Sequence, residues 1–135
     1  MNEQLENTKP IALVIEDNAD QNLVFTMALN KAGFSTESIH NGTDAQQRLK
    51  EVVPHVVELD LHMPDIDGNF ILAKIRNDRR LAKVNVILAT ADAAFADALQ
   101  SQAELVLLKP VSFSQLSELA SRFNPKRRTG TLRRK

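Results

Sequence analysis

Five short apolar runs alternate with segments of helical period, and this alternation constrains the chain more than any other feature. The runs are Ile11–Ile15, Phe34–Ile39, Val56–Leu59, Val86–Ala89 and Leu105–Leu108. Apolar runs bounded by turn residues read as buried strands. Between them the periodicity predicts five helices. The first spans Asp20 to Ala32, with Leu23, Val24, Met27 and Ala28 at helical spacing and Gly33 as the stop. Asn41-Gly42 supplies a turn before the second, whose stripe is Ala45, Leu49, Val52 and Val53 and which Pro54 ends. Ile71, Leu72 and Ile75 mark the third, and Ala93 to Gln102 is a short alanine-rich fourth. Ser112 with Gln115 fits a capping box for the last, which would bury Leu116, Leu119, Ala120 and Phe123. These stripes read as core. Strict strand-helix alternation without long gaps argues an α/β fold, a parallel sheet with helices on both faces.

The strands end in chemistry. Ile11–Ile15 runs into Glu16-Asp17, the third run ends on Asp60, the fourth on Thr90, and the fifth on Lys109-Pro110. After Asp60 comes a loop fixed by Pro64 and released at Asp67-Gly68. Open α/β sheets bind ligands outside the carboxyl ends of their strands. Carboxylates converging there repel one another and cannot all stay ionised without a cation. Mg²⁺ answers that need, as a hard ion that takes oxygen ligands and keeps several waters.

Glu16-Asp17, Asp60 with Met63-Pro64 and Asp67-Gly68, Thr90-Ala91 and Lys109-Pro110 together resemble the signature of two-component response-regulator receiver domains. The likeness covers roughly residues 10 to 124. It implies a doubly wound, flavodoxin-like sheet of order 2-1-3-4-5. It implies that Asp60 is the phosphoacceptor, and that Mg²⁺ is held by Asp17, Asp60 and the backbone carbonyl of His62, with Glu16 acting through a coordinated water. Lys109 and Thr90 would bind the phosphoryl oxygens, the Thr90 hydroxyl being drawn inward once phosphate offers an acceptor. A cis Lys109–Pro110 bond would aim the lysine. His62 and Asp92, two residues beyond Asp60 and Thr90, resemble positions that tune phosphorylation rates in the family, although the His62 side chain itself reads as solvent-facing. His40 and His55 read as surface residues without a role.

Two features depart from the family pattern. Val106 occupies the switch position where receivers usually carry an aromatic, and a β-branched side chain is too stiff to report inward and outward states. The segment between Thr90 and Lys109 is also shorter than usual by about one helical turn. Glu58 is unusual in another way. It shares the face of Asp60 about 6 to 7 Å deeper in the strand, where a carboxyl is costly unless it is paired, hydrogen-bonded or protonated. It is expected to carry a raised pKa, or to be satisfied by a nearby polar group.

Composition narrows the class. The 135 residues suit one domain, with 43% hydrophobic and 25% charged residues. No apolar run approaches the ~20 residues of a membrane span, and no cysteine is present. The absence of cysteine does not fix the compartment, and a cytoplasmic protein is the default expectation. The formal net charge of zero hides an asymmetry: residues 1–125 hold eleven basic against seventeen acidic groups, and 126–135 hold six basic groups and no acid. The acidic body suits cation binding. Residues 1–9 read as a flexible amino terminus, 10–124 as the receiver domain, and 125–135 as a disordered basic tail. The tail has no aromatic for base stacking, so nucleic acid is a weak candidate partner.

The reading is a stand-alone receiver phosphorylated on Asp60 by a histidine kinase or phosphotransfer protein. Its output would be contact with an unknown downstream protein, self-association as a homodimer is left open, and it would be no enzyme beyond its own phosphorylation and dephosphorylation. The main rival is a receiver-like binding or dimerisation module that signals without phosphate. A haloacid-dehalogenase-type phosphohydrolase ranks lower: those enzymes resemble an Asp-x-Asp after the first strand, whereas here position 62 is His and the aspartate follows the third.

Overall fold

The computed structural model describes residues 8–126. The expected flexible amino terminus and disordered basic tail fall almost wholly on residues outside that range. The strands are β1 (Ile11–Ile15), β2 (Ser35–Ile39), β3 (Val56–Asp60), β4 (Asn85–Thr90) and β5 (Leu105–Leu108). The helices are α1 (Ala19–Lys31), α2 (Gly42–Glu51), α3 (Gly68–Asn77), α4 (Ala93–Ala98) and α5 (Phe113–Ser121). All pairings are parallel, in the order β2-β1-β3-β4-β5. That is the doubly wound, flavodoxin-like order the resemblance implied.

Alternation along the strands divides the core in two. On one face Ala12, Val14, Val56, Ile87 and Leu107 meet Phe25, Ala28 and Leu29 of α1 and Leu116 and Ala120 of α5. On the other Leu13, Ile15, Val57, Leu59, Val86 and Leu88 meet Ala45 and Leu49 of α2, Ile71, Leu72 and Ile75 of α3, and Leu99 beyond α4. Every β3 residue is buried, as a central parallel strand requires.

Three helices differ from expectation. Leu23, Val24 and Met27 do not form the buried stripe of α1; they are 60%, 38% and 51% exposed, and the inward face is Asn22, Phe25, Ala28 and Leu29. The cause is polar. The Asn22 amide donates to the carbonyls of Glu16 (2.9 Å) and Ile39 (3.0 Å), gathering the ends of β1 and β2. Its Oδ1 accepts from the Thr26 and Ser38 hydroxyls. A buried side chain satisfied this fully can take the place of an apolar one on the inward face. In α2 the stripe ends early, with Val52 extended (φ −140°, ψ 151°) and Val53 48% exposed. Val53 precedes Pro54, which disfavours the helical conformation there. The fourth helix stops at Ala98 and gives way to a 3₁₀ turn over Gln100–Gln102. In α5 the Ser112 hydroxyl caps the Gln115 N–H as expected, Leu116 and Ala120 are buried, and Leu119 and Phe123 are partly buried against the same core.

The loop after β3 is tied at both ends. Asp65 accepts from the Gly42 and Thr43 N–H groups (3.0 and 2.9 Å) and from the Thr43 hydroxyl (3.0 Å). These bonds at the amino end of α2 hold the exposed Asp65 carboxyl down to about 2. At the other end the Gly68 N–H bonds the Leu61 carbonyl at 3.1 Å. A Cβ on Gly68 would lie 2.4 Å from the Asp60 carbonyl oxygen and 2.7 Å from the Leu61 Cα. Gly68→Ala must therefore displace backbone at the end of β3. It is expected to destabilise the fold by about 1–3 kcal/mol in urea unfolding; a midpoint equal to wild type would contradict that packing.

Candidate functional site

The carboxyl ends of four strands deliver the site. Glu16 and Asp17 follow β1, Asp60 closes β3, Thr90 closes β4, and Lys109 follows β5. One oxygen from each of Glu16, Asp17 and Asp60 lies within 4.8 Å of the other two. Glu16 and Asp60 are buried, whereas Asp17 faces solvent at the mouth. The Lys109 ammonium sits 3.1 Å from Glu16 Oε1 and 3.3 Å from Asp60 Oδ1. The His62 N–H donates to Asp60 Oδ1 at 3.1 Å, and the Asn18 N–H to Glu16 Oε2 at 3.2 Å. Lys109 is joined to β4 through its own N–H, 2.7 Å from the Thr90 carbonyl, and its bond to Pro110 is cis.

The acids crowd one another. Burial, then repulsion from Asp60, raises the Glu16 carboxyl to about 7, against the opposing pull of Lys109. Burial and a hydrogen bond with Asp60 raise Asp17 above its ordinary 3.8. A hydrogen bond between two carboxyl groups needs a proton that a divalent cation would displace. Burial works against the Lys109 ammonium, but attraction to Glu16 and Asp60 prevails and holds its pKa above the usual 10.5. The donor set is all oxygen, half-open and rich in negative charge. It fits a hard divalent ion such as Mg²⁺.

Of the remaining residues, His62 and Asp92 make contacts the sequence reading did not foresee, and His40 and His55 stand as expected. His62 is exposed, yet its side chain reaches across the mouth: Nε2 lies 3.0 Å from the Thr90 Oγ1, and the ring centroid is 5.6 Å from that of Phe95. Asp92 is the N-cap of α4, accepting from the Ala94 and Phe95 N–H groups. Its own N–H donates to the Thr90 Oγ1 at 3.1 Å. Val106 is partly buried against the α4-side core, while His40 and His55 are exposed. Sequence reasoning missed Asn22, which holds the Glu16 carbonyl, and Asp65, which anchors the loop after Asp60. A polar residue at an inward helix position was the only available sign of the first.

The profile of the response regulator receiver domain family matches residues 12–121. The chain belongs to that family. As a receiver domain it is 35% identical over 113 residues to the transcriptional regulatory protein GltR of Pseudomonas aeruginosa, an alignment covering 82% of this chain and 46% of GltR. It is 29% identical over 117 residues to the probable methanogenesis regulatory protein FilR2 of Methanothrix harundinacea, covering 78% of this chain and 76% of that one. Thus the receiver spans about half the length of GltR. Among solved structures, a putative response regulator from Chloroflexus aurantiacus superposes with a TM-score of 0.78 at 19% identity, covering 86% of this chain and 98% of that one. The chemotaxis response regulator CheY4 of Vibrio cholerae gives 0.75 at 19% identity, covering 86% and 99%. At these identities the structural likeness speaks for the fold alone.

Beneath the receiver's acidic pocket, Glu58 is 1% exposed and neither of its oxygens finds a hydrogen-bond partner among the described residues. Its strand neighbours are Val14 and Ile87. Burial, then repulsion from Glu16 and Asp60, raises its pKa well above 4.5, with Lys109 opposing. The folded state thus holds a proton that the unfolded chain releases near 4.5, so stability falls as pH rises above that value. Glu58→Leu is expected to raise the melting temperature by several degrees, equivalent to about 1–3 kcal/mol. The gain over wild type should be smallest near pH 4.5 and grow toward pH 8; a lowered melting temperature at pH 8 would refute it. A divalent ion entering this cluster would also have to compete with the proton that the raised pKa favours on Glu16. Calorimetric titration should therefore find tighter Mg²⁺ binding at pH 8 than at pH 6, with proton release; equal affinity would contradict that competition.

Proposed function

We propose that this receiver domain is a phosphoacceptor whose Asp60 takes a phosphoryl group from a histidine kinase or phosphotransfer protein. The observation that carries the reading is the cluster of Asp60, Asp17 and Glu16 with Lys109 at 3.3 Å from the Asp60 carboxylate. The Asp60 oxygen attacks phosphorus, an O–P bond forms as the P–N bond to the donor imidazole breaks, and that imidazole takes up a proton. Such transfer asks a protein mainly for positioning and charge neutralisation. The His62 N–H, 3.1 Å from Oδ1, and Lys109 hold the Asp60 carboxylate in place. Lys109 then neutralises the phosphoryl oxygens, which replace part of its attraction to Glu16. Asp17, Asp60 and the His62 carbonyl would hold Mg²⁺, with Glu16 behind a bound water. The ion would supply charge neutralisation on the phosphoryl group.

The donor would dock beside the mouth. Helix α1 starts two residues after Asp17 and exposes Leu23, Val24 and Met27, an apolar face suited to a helical phosphohistidine-bearing partner. Output by contact with a downstream protein, a cytoplasmic location, and no catalysis beyond self-phosphorylation and dephosphorylation complete the proposal. No helix of the described residues is long and apolar enough to cross a membrane.

A second reading, a receiver fold that signals without phosphate, draws on Val106, which offers no ring or hydroxyl at the switch position. One experiment separates them. Incubation with an acyl phosphate and Mg²⁺ should add one phosphoryl mass to the intact protein and none to Asp60→Asn. Lys109→Ala should reduce the phosphorylated fraction at least tenfold. No added mass on wild type would favour the second reading.

A further inference from the structure

The Thr90 hydroxyl makes two contacts, and both lead to the start of α4. The Asp92 N–H donates to it, and Asp92 in turn caps the helix through the Ala94 and Phe95 N–H groups. The second contact is the His62 Nε2 at 3.0 Å. Either group can donate in this bond; in the tautomer with a bare Nε2, which the latch inferred below requires, the Thr90 O–H donates to the ring. The same ring packs on Phe95 at 5.6 Å and 42°, within the range of favourable tilted aromatic pairs.

Helix α4 is short, and the buried Leu99 at its C-cap anchors its far end. It is six residues long, Ala96 is its buried residue, and Phe95 is its large side chain, half-buried against the α4-side core. Val106 lies against that core too, but an isopropyl group cannot follow a hydroxyl. Any movement of Thr90 can reach the α4 surface through His62, because that imidazole touches both Thr90 and Phe95.

We infer that His62 is a positioning residue that latches the Thr90 hydroxyl in the unphosphorylated protein and, through its contact with Phe95, carries the displacement of Thr90 to helix α4 in place of a side chain at position 106. The inference rests on the phosphoacceptor reading for its trigger: a phosphoryl group on Asp60 gives the Thr90 O–H a charged acceptor, stronger than imidazole. Once the O–H turns to it, the ring loses its anchor and the packing on Phe95 is free to change. A two-state element is thereby biased by one local bond.

The test is nuclear magnetic resonance on the full chain, following the Thr90 methyl, the Phe95 ring and the Lys109 side chain, with and without Mg²⁺ and beryllium fluoride as the phosphoryl mimic. In wild type, all three should shift on adding the mimic. In His62→Leu, the Thr90 and Phe95 signals of the free protein should already lie displaced toward their mimic-bound positions, and Phe95 should no longer follow Thr90 when the mimic is added. In His62→Gln, which keeps a hydrogen-bonding end but no ring, Thr90 should return toward its wild-type position while Phe95 stays uncoupled; a purely structural role would not divide the two signals. Val106→Ala should leave the coupling intact. The inference is overturned if wild-type Phe95 stays still while Thr90 and Lys109 shift, or if His62→Leu leaves the free-protein signals where they were. If Lys109 and Thr90 both ignore the mimic in wild type, the phosphoacceptor reading fails instead, and the free-protein comparison of His62→Leu still decides whether the latch exists.

Discussion

The arrangement depends on one ammonium group answering two buried carboxyls. Lys109 reaches Glu16 and Asp60 at 3.1 and 3.3 Å, with only 16% of its side chain exposed. Without it the ends of β1 and β3 would bring two acids together beneath a third and leave them only water and protons for relief. Removing one partner of such a cluster leaves uncompensated charge in a poorly solvated place, which costs more than the pair contributes. The ion pairing on which the proposed chemistry relies is thus also a requirement for the strand ends to lie so close. Even so, one cation does not balance the acids, as the raised Glu16 and Asp17 carboxyls show. That remaining imbalance is an electrostatic demand for a divalent ion.

The backbone around the pocket is fixed by groups that take no part in the chemistry. Asn22 ties the ends of β1 and β2. Asp65 ties the loop after Asp60 to the amino end of α2, and Gly68 lets α3 begin against the Asp60 carbonyl. These ties cross long stretches of sequence and act on backbone atoms, so they set where a carboxylate sits without touching it. The proposed phosphoryl transfer, which acts mainly by positioning, would depend on such support.

Much of this was legible before any coordinates. The strands and their order followed from apolar runs, alternation and the family resemblance, because central parallel strands are buried on both faces and show it in composition. The residues of the cluster were legible for the same reason: each stands at the end of such a run. What escaped the sequence was polar. Periodicity alone favoured Leu23, Val24 and Met27 as the inward face of α1, but three carbonyl and hydroxyl partners of Asn22 lie in β2 and just past the end of β1, and no local pattern reveals them. The reach of His62 to Thr90 was hidden likewise, since it joins loops after two different strands.

Glu58 shows how far positional logic extends. Strand alternation placed it under Asp60, and burial with no described hydrogen-bond partner follows from a neighbourhood of Val14 and Ile87. A neutral acid there adds no charge to a pocket already overloaded with it, whereas an ionised one would compete with Asp60 for the influence of Lys109. The same burial that penalises Glu58 disfavours its charged form, and to that extent leaves the Lys109 charge directed at Asp60 and Glu16. A leucine would serve the pocket equally well and the fold better, which makes Glu58 a cost that the core carries and the proposed chemistry does not use.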